Sequence, residues 1–275
     1  MAEAVTTGYK NMAYLTANEP WELMVEPFRV APRAYYVGNK WVGSYLFDCG
    51  EGGLVLIDSM TSETVYLIFE SIRKLGFDPH NIRHILLSHC HCDHAYGARA
   101  LSEYSGAKIW MSKIDEEFIH HPANTEMDDL FKVIPFKVDC NYDDASPLRV
   151  GDVEFRTRLT PGHTPGTTSF FVTMPDENGG ALTMAMHGGV GVLTFSHDYI
   201  EKYGLDPTLG QTFLDDCEDM KKIHVDITVP SHPAHFNLFE RAPKDRNDYK
   251  PFVNETGWER FLSERIEFTK KALSK

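Results

Sequence analysis

Between Ser88 and Ala95 the chain reads His-Cys-His-Cys-Asp-His, which sets three imidazoles and one carboxylate within six consecutive positions, His89 to His94. A fold that accepts this run must bring other polar groups to it, because packing alone has no use for so many ionisable side chains. The stretch before it, Ile85-Leu86-Leu87, is apolar and reads as a buried strand opening into a metal site at its C-terminal end. If His89 to His91 is extended, side chains at alternate positions project the same way, so both imidazoles reach one ion. Asp93 and His94 fall where the chain turns into a helix and point toward a neighbouring position. A polar helix start is the plain alternative for this run.

Two further histidines stand in matching settings. His163 lies in Leu159-Thr-Pro-Gly-His-Thr-Pro-Gly166, a turn of glycines and prolines between strands, and His232 follows the strand Asp226-Ile-Thr-Val229 in Pro230-Ser-His-Pro233. Both are on loops at strand ends, where sites assemble from separated segments. Taken alone, each reads as a turn or surface residue. Zinc accepts imidazole and carboxylate, and its catalytic sites take three protein ligands plus water.

The remaining pattern alternates strand and helix. Ala34–Gly38 and Trp41–Phe47 are expected as strands joined at Asn39-Lys40, Leu54–Ile57 as a third ending at Asp58, and Ser62–Leu75 as a helix stopped by Gly76. His84–Ser88 returns as a strand. Strand-rich pieces follow at 148–159, 167–173 and 181–186, with helices near 209–223 and 258–272. Residues 1–33, with Pro20, Pro27 and Pro32, are expected to form a surface segment. Residues 121–147 lack periodicity, and so long an irregular connection suggests a lid over the site. No repeat or linker divides the chain, so 1–275 is expected as a single domain of two stacked sheets with outer helices.

Composition narrows the function. Among 275 residues there are 27 Lys plus Arg against 40 Asp plus Glu, a formal charge of −13, which opposes phosphate backbones and anionic membranes. The five cysteines have no disulfide spacing. The N-terminus has neither a basic nor an apolar leader region, and no apolar run is long enough to cross a bilayer. The expectation is a cytoplasmic enzyme acting on a small molecule, without nucleic-acid or membrane partners; the oligomeric state stays open.

H-x-H-x-D-H, then Pro-Gly-His-Thr-Pro-Gly, then a late strand ending in Ser-His-Pro resembles the metallo-β-lactamase superfamily. The resemblance runs from Tyr35-Tyr36-Val37-Gly38 through Gly53-Leu-Val-Leu-Ile-Asp58 to His232, and is nearest to the subclass B-three enzymes, which use only His and Asp ligands. It implies an α/β (α+β) four-layer αβ/βα sandwich, the metallo-β-lactamase fold. It also implies a binuclear metal site with His89, His91 and His163 on one zinc ion and Asp93, His94 and His232 on a second, with iron or manganese as alternative metals. Two zinc ions about 3.5–4 Å apart share a water whose lowered pKa yields the hydroxide that attacks a carbonyl, and Asp93 holds the proton in place. Asp58 is a candidate to fix a histidine tautomer from behind, or else a strand-end cap.

One departure matters. Other branches carry an Asp or Cys after the strand following the His163 motif, and the resembled subclass often carries serines; this chain has Met186-His187-Gly188-Gly189-Val190. His187 is thus a candidate to enter the site. Cys90 is expected to pack away from the histidines and Cys92 to border the substrate space. The implied reaction is opening of an amide or ester bond of the β-lactam or lactone kind. Thioester hydrolysis, and iron-dependent thiol or persulfide oxidation on the same fold, are the alternatives.

Overall fold

The computed structural model describes residues 2–126 and 130–274; residues 127–129 of the expected lid segment therefore lie outside the described residues. A seven-stranded sheet follows chain order, β1 (Phe28–Ala31), β2 (Ala34–Tyr36), β3 (Tyr45–Asp48), β4 (Leu54–Ile57), β5 (Ile82–Leu86), β6 (Lys108–Met111) and β7 (Cys140–Asn141). A five-stranded sheet holds β8 (Leu148–Val150), β9 (Val153–Leu159), β10 (Thr168–Pro175), β11 (Ala181–Met186) and β12 (Ile227–Thr228), in the order β12-β11-β10-β9-β8. The pairs from β4 to β7 are parallel, as is β11 with β12, and the others are antiparallel.

Alternation along single strands builds three cores and hence four layers. In β4, Val55 and Ile57 join Phe47, Phe155, Phe170 and Met184 between the sheets, while Leu54 and Leu56 face helix Val65–Lys74 and its neighbours. All four residues of β4 are buried, so the strand reads as an unbroken apolar run. In β10, Phe170, Val172 and Met174 point into the inter-sheet core, and Phe171 points out to Phe213, Trp258 and Phe261 on helices Leu209–Met220 and Gly257–Leu273. This is the expected αβ/βα sandwich.

Several local expectations change. Residues 1–33 contain helix Ala2–Asn18 and the edge strand β1, whose Phe28 and Val30 are fully buried between the sheets; prolines 27 and 32 flank that strand without interrupting it. The strand expected from Trp41 begins only at Tyr45. Before it, the Asn39 side chain accepts the N–H groups of Trp41 and Val42, and Gly43 N–H donates to Ser231 O at 2.7 Å. A Cβ on Gly43 would stand 2.9 Å from the carbonyl oxygens of Pro230 and Ser231, so glycine permits this approach. Within the described part of 121–147, Phe131 is buried in the helix-side core, with Val133, Ile134, Phe136 and Val138 against it. No described helix is long and apolar enough to cross a membrane.

Candidate metal centre

The parallel strands β4 and β5 end side by side, delivering Asp58 and the 88–94 loop to one end of the sheets, and the start of β10 joins them through Thr168 N–H to Ser88 O at 2.8 Å. The turn between β9 and β10 carries His163, and the loop after β12 carries His232. Sites at the carboxyl ends of parallel strands arise because connections leave the sheet there.

Five imidazoles and a carboxylate meet at this end. His91 Nδ1 lies 2.9 Å from His163 Nε2, and His94 Nε2 lies 3.1 Å from His232 Nε2. Asp93 Oδ2 is 3.5 Å from His94 Nε2 and 3.4 Å from His232 Nε2. The possible ligand atoms of His89, His91 and His163 lie within 4.8 Å of one another, as do those of His89, Asp93 and His94. All six expected side chains are therefore brought together, with His89 adjoining both groups.

Proton bookkeeping on the outward nitrogens shows what these rings present inward. His163 Nδ1 faces Gly191 O at 3.0 Å and His232 Nδ1 faces Trp41 O at 2.8 Å; a carbonyl only accepts, so each Nδ1 carries the proton and each Nε2 a lone pair. His94 Nδ1 donates to Asp58 Oδ2 at 2.7 Å. Ser88 Oγ donates to Asp58 Oδ2 at 2.8 Å, so it accepts from His89 Nδ1 at 2.9 Å. In the neutral rings four Nε2 lone pairs thus converge, and the buried His89 Nε2 has no hydrogen-bond partner among the described residues. Lone pairs facing each other at 3 Å repel unless a cation or proton lies among them. This donor set fits a zinc-like ion, with hydrogen-bonded outer nitrogens setting each ring's orientation.

The electrostatics agree. Burial, then the neighbouring rings, hold His89 and His91 well below the usual imidazole range. Burial pushes His163 down to about 4 and also lowers His232. The lowered values favour the neutral ring, with one N–H and one free nitrogen, the form that coordinates metal. Burial opposes charge on His94 too, but the carboxylates of Asp93 and Asp58 outweigh it and raise its pKa; a field that favours a proton there favours a metal cation.

Asp58 has a larger part than a strand-end cap. It takes a left-handed backbone (φ 60°), an uncommon conformation for a non-glycine residue. It is held there by its N–H to Leu86 O, by Ser44 Oγ–H to its carbonyl, and by Ser88 N–H to its Oδ1. His187, by contrast, does not join the converging group. Its Nδ1 accepts Gly189 N–H at 3.3 Å, its Nε2 lies 3.8 Å from Cys217 Sγ, and its ring packs beside Phe213. Burial, then His163, push its pKa down to about 3. The glycine loop it supports lies against His163: a Cβ on Gly189 would be 2.5 Å from His163 Cδ2, and one on Gly191 2.8 Å from Cε1. Here the loop backbone abuts the imidazole, leaving no room for a side chain at either glycine. Cys90 and Cys92 are both buried in the helix-side core; Cys90 packs as expected, and Cys92 belongs to that core rather than to an open substrate space.

Sequence reasoning passed over the groups on the outer nitrogens of these rings, Ser88 and the carbonyls of Trp41 and Gly191, and the buried carboxylate of Asp115, which bonds Cys90 N–H and Thr164 Oγ–H beside them. Backbone carbonyls leave no signature in a sequence. Asp115 has only the weak signal of a helix start, Ser112 Oγ accepting its N–H at 3.1 Å.

Comparison with known proteins gives the family. Residues 42–179 match the family model of the metallo-beta-lactamase superfamily. The native FEZ-1 metallo-beta-lactamase of Legionella gormanii superposes with a TM-score of 0.81 at 26% identity, covering 91% of this chain and 96% of that one. The metallo-beta-lactamase GOB-18 of Elizabethkingia meningoseptica gives 0.81 at 25% identity, over 93% and 94%. By sequence, the N-acyl homoserine lactonase AttM of Agrobacterium fabrum is 25% identical across 64% of this chain and 67% of its own length. The hydroxyacylglutathione hydrolase GloC of Haemophilus influenzae is 28% identical across 42% and 55%. With the family matched over residues 42–179 and the layered fold shared with these structures, the chain belongs to the metallo-beta-lactamase superfamily and is a metal-dependent hydrolase.

Proposed function

We propose that this hydrolase opens a lactone or β-lactam ring, with His89, His91 and His163 holding one zinc ion and Asp93, His94 and His232 a second. The convergence of four Nε2 lone pairs beside the Asp93 carboxylate carries this reading. Bound zinc supplies an acidified water and a Lewis acid for the substrate carbonyl. The protein's own groups do the rest. Asp58, Ser88, Gly191 O and Trp41 O keep the imidazole tautomers fixed, so the donor set needs no reorganisation when substrate arrives. Asp93 Oδ2 lies 3.5 Å from His94 Nε2 and 3.4 Å from His232 Nε2, and in this reading its carboxylate would orient the attacking water and hold its proton in place.

Thioester hydrolysis is the second reading, favoured by the resemblance to a hydroxyacylglutathione hydrolase. We further infer that 1–275 act as one domain on a small-molecule substrate. Metal analysis of the purified protein, followed by assay against an N-acyl homoserine lactone, a cephalosporin and an acyl-glutathione thioester, tests these readings. Lactone or lactam turnover that disappears in His89→Ala supports the first. A protein that purifies without transition metal, or a His89→Ala variant as active as the parent, overturns it.

A further inference from the structure

Asp115 is fully buried, and no basic side chain is paired with it among the described residues. Its Oδ2 accepts Cys90 N–H at 2.9 Å and Thr164 Oγ–H at 2.7 Å, and its Oδ1 accepts Gly166 N–H at 2.8 Å. Cys90 is the residue between His89 and His91, and Thr164 follows His163. One carboxylate, borne on helix Lys113–Phe118, thus bonds next to every member of the three-histidine group. We propose that Asp115 is a positioning residue that clamps the 88–94 loop to the 160–166 turn and so sets the distance at which His89, His91 and His163 meet.

Three observations point the same way. First, the two loops come from different sheets, and a histidine trio assembled across them needs a tie that resists their sliding. Second, both oxygens of a carboxylate only accept, which matches three converging donors; an amide in the same place would turn an NH₂ toward an N–H. Third, Gly166 is pressed onto the clamp. A Cβ there would lie 2.3 Å from Ser112 Oγ and 2.5 Å from Asp115 Oδ1, which gives the last glycine of Pro-Gly-His-Thr-Pro-Gly a physical reason. Burial raises the acid's pKa to about 6 against the pull of these hydrogen bonds; a buried carboxylate without a counter-cation is costly, and the three donors offset part of that cost.

The inference rests on the three histidines sharing a metal, so zinc binding by the parent is measured first. If the parent binds no zinc, that assignment fails; if it binds and the variants below bind equally, the clamp fails alone. Zinc affinity is read by competition with a chromophoric chelator, and ligand geometry by the visible bands of the cobalt-substituted protein. Asp115→Asn is expected to weaken zinc about 10–100-fold, as loss of a supporting hydrogen bond does, and to alter the cobalt bands. Ser112→Ala removes the cap on the same helix while leaving the carboxylate, and should keep affinity within about twofold of the parent. Thr164→Val removes one of the three donors and should weaken zinc several-fold; it decides the matter if Asp115→Asn does not fold. Parent-like affinity and cobalt bands in Asp115→Asn, or in Thr164→Val where it must serve, would overturn the proposal. So would equal zinc loss in Ser112→Ala and Asp115→Asn.

Discussion

The two candidate ligand groups differ in what stands behind them. Behind His89 and His163 are a hydroxyl and a carbonyl, Ser88 Oγ and Gly191 O; the group contains no charge of its own and is drawn from two loops joined by Asp115. The other group contains the Asp93 carboxylate, and His94 is backed by a second carboxylate, Asp58. Its remaining member, His232, is oriented by Trp41 O from the far end of the chain. One group therefore depends on neutral imidazole donors held at the right spacing, and the other on negative charge held in a buried place. Positioning should dominate the first and electrostatics the second.

The largest effect should come from removing a ligand of the first group. With His91→Ala, hydrolysis should fall on the order of a thousandfold, the scale of losing a main stabiliser of developing charge; His232→Ala should fall less if the first group alone retains a metal. Equal losses in steady-state assays of both variants would break the distinction. Next is Asp58→Asn, which keeps the shape but turns an NH₂ toward His94 Nδ1–H. Metal affinity should drop about 10–100-fold, and metal titration should show the group of Asp93, His94 and His232 losing its ion first. Loss from the trio first would reverse the comparison.

Gly189→Ala probes positioning without touching charge. Its Cβ would meet the His163 ring at 2.5 Å, and overpacking of that kind costs about 1–3 kcal/mol. Activity should decline roughly tenfold, with the cobalt bands shifted for the trio; unchanged bands would mean that the glycine loop yields instead. The smallest effect concerns an imidazole outside both groups. His84 Nδ1 accepts Trp110 Nε1–H at 3.0 Å, and burial, then Lys108, lower its pKa below the ordinary 6.5. A base with a lowered folded pKa contributes stability that is present above pH 6.5 and lost as pH falls through the folded value. The loss should be about 1 kcal/mol or less, the worth of one such hydrogen bond. Denaturation of the metal-free protein at pH 7.5 and 5.5 checks it, since His84→Gln should remove that part of the pH dependence; an identical slope in the variant would exclude His84 as its source.

Much of the layered fold was legible because periodicity reports burial. Leu54–Ile57 and Ala181–Met186 appear as strands with those limits, and Gly257–Leu273 differs from its expected helix by one residue at each end. Phe28–Ala31 was missed because flanking prolines read as loop, although an edge strand with capped ends tolerates them. Trp41–Ser44 was misread because a run of apolar residues has the same pattern whether it pairs in a sheet or folds over a neighbouring loop. His187 drew attention for its chemistry and its place in the motif order, while its actual neighbours, Cys217 and Phe213, come from a helix far along the chain.

By itself the sequence determined which residues can donate to a metal, the order in which they arrive and the strands that deliver them, since spacing and hydrophobic period are local properties. Only the tertiary structure decided which nitrogen of each ring points inward, because that follows from carbonyls and carboxylates supplied by distant segments. The same holds for the bare glycine loop against His163 and for Asp115 beneath both loops. Each is a contact between residues whose separation along the chain carries no record of their distance in space.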